Sequence, residues 1–168
     1  FRGQFLGSGS DTWKYWADLR AGKITETDWQ GVEQGIARSH GHCMTMGTAS
    51  TMASMVEALG LALPTNAAIP AVDSRRYVLA HMAGRRIVEM VWEDLLPSRV
   101  LSRASFDNAI ACAMAMGCST NAIIHVIAMS RRAGHAVTLD DFDAASRKVP
   151  VIANIRPSGE RWLMEDFF

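Results

Sequence analysis

A loop that opens at Gly41 and becomes a helix by Thr51 constrains this chain more than any other stretch. It reads Gly41-His42-Cys43-Met44-Thr45-Met46-Gly47-Thr48-Ala49-Ser50-Thr51-Met52 and runs on through Val56-Glu57-Ala58-Leu59-Gly60. From Thr51 onward Met52, Met55, Val56 and Leu59 recur at i, i+3, i+4 and i+7, one face of a 3.6-residue period. Gly60 stands where a left-handed cap belongs, and Pro64 bars continuation. Thr48, Ser50 and Thr51 are candidate N-caps. Cys43 is thus expected just ahead of a helix start, where unpaired amides and the macrodipole favour a thiolate. Such a thiolate is a nucleophile or a soft metal ligand. The loop alone does not choose between them.

The rest of the chain limits the choices. With 168 residues, 49% hydrophobic and 20% charged, it has the material for one domain with a substantial core. Lys plus Arg equals Asp plus Glu at 17 each, so no net field steers it toward nucleic acid or an anionic membrane. No apolar run reaches the length of a membrane span. Three cysteines, Cys43, Cys112 and Cys118, are an odd number without a C-x-x-C pair, which speaks against a disulfide framework and for a reducing, cytoplasmic setting. The first residue is Phe and no signal peptide precedes the first motif, so an internal piece of a longer protein is expected.

In chain order, Asp11 is expected to cap a helix carrying Trp13, Trp16, Ala17 and Leu19 and ended by Gly22. Thr25-Glu26-Thr27-Asp28 resembles a capping box and opens a second helix with Trp29, Val32 and Ile36 on one side. The two form an αα-hairpin over residues 1–40, whose tryptophans are expected in a core or a subunit interface. After the cysteine loop, residues 62–72 read as irregular. Asp73 is expected to cap a long helix with Leu79, Ala83, Ile87, Met90 and Val91 on one face. Its arginines, Arg75, Arg76, Arg85 and Arg86, read as solvated or paired, with Glu89, Glu93 and Asp94 at hand.

Ser102 or Ser105 starts the next helix, with Phe106, Ile110, Ala113 and Met114 inward and Gly117 at its end. Ser119-Thr120-Asn121 caps a helix bearing Ile123, Ile124, Ile127 and Ala128. Thr138-Leu139-Asp140-Asp141 opens a short one. Residues 151–155, between Pro150 and Pro157, are the single segment with a strand signature. By itself this pattern predicts a mostly helical domain.

Among reactive side chains, Cys112 falls within a helix among small residues and reads as packing. Cys118 also reads as structural, and His125 as a core histidine. His40 and His42 beside Cys43 suggest zinc only weakly, because three adjacent residues rarely surround one ion. Thr45, Thr48 and Ser119 to Asn121 offer hydroxyls and amides at helix starts, which serve as caps or as anchors for a substrate carboxylate.

The cysteine stretch resembles the third cysteine segment of the iron–sulfur dehydratases, the family of dihydroxy-acid and phosphogluconate dehydratases. Further matches follow in order: Asn66-Ala67-Ala68-Ile69-Pro70-Ala71-Val72-Asp73, Ser119-Thr120-Asn121-Ala122, Leu139-Asp140-Asp141-Phe142, and Pro157-Ser158-Gly159 before Met164-Glu165-Asp166-Phe167. Ser50, where the branched-chain enzymes usually show asparagine, is similar to the sugar-acid branch acting on pentonates. The opening Gly7-Ser8-Gly9-Ser10-Asp11-Thr12-Trp13-Lys14-Tyr15-Trp16 also fits that branch better.

The resemblance implies that residues 1–168 are one segment of the N-terminal α/β domain of a hydro-lyase. It implies that Cys43 is a ligand of an iron–sulfur cluster, [2Fe–2S] in preference to [4Fe–4S]; Thr45, two residues past that cysteine, is by its position the candidate substrate contact. It implies dehydration of a 2,3-dihydroxy acid to a 2-keto-3-deoxy acid, in a homodimer or homotetramer. Mg²⁺ and the catalytic base belong to residues outside this segment, so no catalytic residue is expected within it. Two alternatives stand beside an aldonic-acid dehydratase. One is dihydroxy-acid dehydratase of branched-chain amino-acid synthesis, the other a non-catalytic helical interaction fragment.

Overall fold

The computed structural model describes residues 3, 4, 6, 9–37 and 39–167, so Gly7 and Ser8 of the opening motif lie outside the described residues. Helix α1 (Ser10–Arg20) and helix α2 (Glu26–Ile36) form the expected hairpin, with the Trp16 and Trp29 rings 5.4 Å apart. The Thr25–Asp28 capping box is present in both directions: the Asp28 N–H donates to Thr25 Oγ1 and the Thr25 N–H to Asp28 Oδ2, each at 3.1 Å. Asp11 lies within the first turn of α1, and Gly9 takes the cap position instead. The tryptophans are not this chain's core. Trp13 is 73% exposed, because a two-helix hairpin buries only the faces turned to each other, here around Val32.

The core lies elsewhere. Helix α3 (Thr48–Ala58), helix α6 (Arg103–Met116), helix α7 (Asn121–Arg132) and helix α8 (Leu139–Ser146) enclose Met55, Leu59, Phe106, Ala109, Ile110, Ala113, Val126, Val137 and Phe142. Helix α6 has Ser102 as its cap, reciprocated by Ser105, and stops at Gly117 in the left-handed region at φ 61°. Helix α7 is rotated by about one residue from the expected face. Ala122, Val126 and Ser130 are buried at i, i+4 and i+8, leaving Ile124 and His125 exposed. The small Ala122 lets α7 approach the core more closely than a stripe of isoleucines would. His135, unremarked in the sequence, bonds the Leu101 carbonyl through Nε2 at 2.8 Å.

Helix α4 (Arg75–Trp92) begins where expected, and the Asp73 carboxylate accepts the Arg75 N–H at 2.8 Å. Its apolar stripe is not covered, however. Leu79 alone is buried, while Ile87 and Val91 are exposed, since among the described residues no other helix covers them. The arginines pair as anticipated: Arg75 with Asp73, Arg86 with Glu89 and Glu93, and Arg76 with the Asn66 side-chain oxygen. A short helix, α5 (Pro97–Val100), leads into α6.

Among the described residues there is no β-sheet, and the segment is mostly helical. The strand expected at residues 151–155 does not form. A ladder needs a neighbouring strand, and here the Ile152 and Ala153 amides both donate to the Ala115 carbonyl near the end of α6. A single parallel bridge joins Ile155 to Trp162.

Candidate functional site

The cysteine loop is built from both sides. Gly41 adopts φ 110°, and a Cβ there would lie 2.8 Å from Ala71 Cβ, so the loop enters against the 62–72 segment where only glycine fits. That segment is in turn held by α3. The Glu57 carboxylate accepts the Thr65 N–H at 2.6 Å and the Ala67 N–H at 2.8 Å.

From the opposite side comes a strap formed by residues 154–164. Met46 N–H donates to the Arg156 carbonyl at 2.7 Å, and Met164 N–H donates to the Met44 carbonyl at 2.8 Å. Met46, Ala153 and Ile155 form a second small core there, flanked by Met116, Trp162 and Met164.

Cys43 emerges exposed from this frame. Its Sγ lies 3.6 Å from Thr45 Oγ1, and a Cβ on Gly47 would sit 3.7 Å from that sulfur. Gly47 is the N-cap residue of α3, so the sulfur stands at the start of that helix, where the sequence places it. Thr45, the other candidate site residue, is buried apart from its approach to the sulfur.

The cap itself differs from expectation. Gly47 offers no side chain, and Thr48, Ser50 and Thr51 lie within the first helical turn. Their hydroxyls bond across the site instead. Thr51 Oγ1 accepts the Ser119 N–H at 3.1 Å, and Thr48 Oγ1 meets Ser119 Oγ at 3.4 Å. Ser119 Oγ also takes the Asn121 backbone N–H. Ser50 is 2% exposed, and its hydroxyl donates to the Thr45 carbonyl at 3.1 Å. His42 Nδ1 lies 3.1 Å from both Ser50 Oγ and the Cys43 carbonyl. The sequence contains the residues of this network but no signal for their pairing.

The other cysteines are placed apart from this group. Cys118 is half-buried, and desolvation pushes its thiol above the ordinary range, which disfavours the thiolate that a metal needs. Cys112 is exposed on α6, not packed as expected, because its neighbours Ala109 and Ala113 take the inward positions. Among the described residues no three His, Cys, Asp or Glu side chains converge as a metal site, and the zinc grouping of His40, His42 and Cys43 does not form. Nor is any helix among them long and apolar enough to cross a membrane.

The family model described as Dihydroxy-acid/6-phosphogluconate dehydratase N-terminal matches residues 3–168, and the chain belongs to that family. It is 52% identical to an L-arabinonate dehydratase of Rhizobium leguminosarum bv. trifolii, over all of this chain and 29% of that protein. Identity is 44% to a D-xylonate dehydratase of Caulobacter vibrioides, over 98% of this chain and 27% of the relative. It is 41% to a dihydroxy-acid dehydratase of Thermodesulfovibrio yellowstonii, over all of this chain and 30% of the relative. The chain therefore spans less than a third of the length of these relatives.

Proposed function

We propose that this chain is the part of an aldonic-acid dehydratase that supplies one cluster cysteine and the hydroxyl-rich helix start around it. The observation carrying the proposal is the position of Cys43: an exposed sulfur at the N-terminus of α3, in a loop packed against Ala71 at Gly41 and tied to the strap by backbone hydrogen bonds at Met44 and Met46. A thiolate held there suits the soft ligand chemistry of an iron–sulfur cluster. This chain supplies one such donor, so the other cluster ligands come from residues outside it. When bound, the cluster supplies an open iron as Lewis acid for the departing hydroxyl.

The chain's own residues position and satisfy. Thr45 Oγ1, beside the sulfur, is the candidate substrate contact. Residues 1–168 form one segment of the N-terminal dehydratase domain, a hairpin over 1–40 and the cysteine loop with its following helices over 41–168. The complete domain is α/β, and its sheet draws its strands from elsewhere in the protein. Mg²⁺ is held by residues outside this chain, and the complete enzyme works as a cytoplasmic homo-oligomer.

A pentonate is favoured over a branched-chain dihydroxy acid because the pentonate dehydratases are the more similar relatives, 44–53% against 41–42% identity. A polar pocket rejects an analogue lacking its hydroxyls strongly. The complete protein, with cluster and Mg²⁺ reconstituted, is therefore expected to prefer L-arabinonate to 2,3-dihydroxyisovalerate by more than about tenfold in kcat/KM. Equal efficiency moves the assignment to the branched-chain enzyme. The cysteine assignment has its own measurement. Cys43→Ser should abolish visible cluster absorption, while Cys112→Ser and Cys118→Ala keep most of it. Loss of absorption in Cys118→Ala would overturn the choice of ligand.

A further inference from the structure

His42 adjoins the candidate ligand Cys43, yet it does not bond the sulfur. Its Nδ1 faces two oxygens, the Cys43 carbonyl and Ser50 Oγ, each at 3.1 Å. The carbonyl only accepts. Ser50 gives its own proton to the Thr45 carbonyl, so its oxygen presents a lone pair to the ring. Both partners therefore require that Nδ1 carry the proton. In the neutral ring this leaves Nε2 with a lone pair, and Nε2 has no hydrogen-bond partner among the described residues. His42 is exposed, so that lone pair is open to a ligand.

An acceptor in this place is selective. Cluster sulfides, thiolates and a substrate carboxylate are all acceptors and cannot bond to it, Mg²⁺ prefers oxygen ligands, and iron ligation, the other use of a neutral imidazole, would change the cluster absorption when His42 is replaced. A hydroxyl is the donor that fits. We propose that His42 is a substrate-binding residue whose Nε2 accepts a hydrogen bond from a hydroxyl of the polyhydroxy acid. Ser50 is its positioning residue, fixing the tautomer from within the buried start of α3. The inference rests on the aldonate reading and gives Ser50 a role at one remove from substrate: its bonding capacity is spent on Thr45 and His42.

The test uses the complete protein with its cluster reconstituted. Losing one hydrogen bond to a substrate hydroxyl is expected to lower kcat/KM for L-arabinonate about tenfold in His42→Leu. The loss on 2,3-dihydroxyisovalerate, which lacks hydroxyls beyond C3, should be clearly smaller than the loss on L-arabinonate. Cluster absorption should be unchanged. His42→Gln, which places an acceptor oxygen near the Nε2 position, should recover part of the loss.

A second measurement needs neither turnover nor a variant. Diethyl pyrocarbonate acylates unprotonated ring nitrogens, and modification of each histidine is read by mass spectrometry. Saturating L-arabinonate should slow the modification of His42 and leave that of His40 unchanged. Equal losses on both substrates, or turnover of L-arabinonate with His42 still freely modified, overturns the contact. Absence of both binding and turnover of any aldonate overturns the dehydratase reading itself, and the contact with it.

Discussion

At Gly159 the strap that supports the cysteine loop makes its tightest bend. A Cβ there would approach the Ile155 nitrogen to 2.6 Å and collide with Asn154, and both obstacles are largely backbone. The bend is closed by the Gly159 N–H on the Ile155 carbonyl at 2.7 Å and by the Glu160 N–H on Asn154 Oδ1 at 2.8 Å. It lies beside Arg156, whose carbonyl receives the Met46 amide. Gly159→Ala is therefore expected to destabilise the fold by about 1–3 kcal/mol, the usual cost of forcing atoms into filled space. It should also raise hydrogen exchange at the Met46 amide. Gly84 makes the contrasting case, since it is helical and a Cβ there meets nothing within 4 Å. Gly84→Ala should stabilise by up to about 1 kcal/mol. Urea unfolding of both variants checks the pair, and a neutral Gly159→Ala would remove the strap from the argument.

Between elements, Arg103 ties the start of α6 to the start of α8. Its guanidinium reaches Asp141 at 2.6 Å, Asp107 at 2.9 Å and the Ala136 carbonyl at 2.6 Å. The Arg103 hydrogen bond, followed by the Thr138 backbone N–H, holds the Asp141 carboxyl below its usual range. A depressed carboxyl pKa contributes stability that is present above the unfolded value, about 3.9, and is lost as pH falls through the folded value. Asp141→Asn should thus be less stable than the parent near neutral pH. The gap should close as pH drops below about 4, and its size should stay under about 1 kcal/mol because Arg103 is partly exposed and screened. A gap that persists unchanged at pH 2 would show that packing, not charge, is at stake. The cap at Thr25 was legible in the sequence because a capping box is a contact three residues long, whereas Ser102 was one of two candidates, the other of which, Ser105, turns out to reciprocate it. The face of α7 and the failed strand were not legible, because each depends on what lies alongside: the close approach of Ala122 in one case, the Ala115 carbonyl in the other.

At the scale of the molecule the same distinction separates what the sequence reveals of the site from what it conceals. Cys43 at a helix start was readable from a dozen consecutive residues. The strap was not, since Met46 finds its partner at Arg156, nor was the Ser50–His42 bond, which needs the loop to fold back on α3. Helix α4 is the widest departure: of the stripe the sequence expects to be covered, Ile87 and Val91 stand open, and so do Tyr77, Val78, Met82, Val88 and Trp92 off that stripe. So many large apolar groups along one helix exceed the scattered exposure normal for a soluble surface. In the isolated chain they should bind a hydrophobic dye such as ANS in the native state. Val91 and Trp92 are 72% and 85% exposed, so changing them removes almost no core contact. A Val91→Lys, Trp92→Gln double variant is therefore expected to lower ANS fluorescence while shifting stability by no more than about 0.5 kcal/mol per substitution. If the dye signal were unchanged, or thermal unfolding moved down by many degrees, the open face of α4 would instead be packed in solution, and its stripe would be part of the core the sequence predicted.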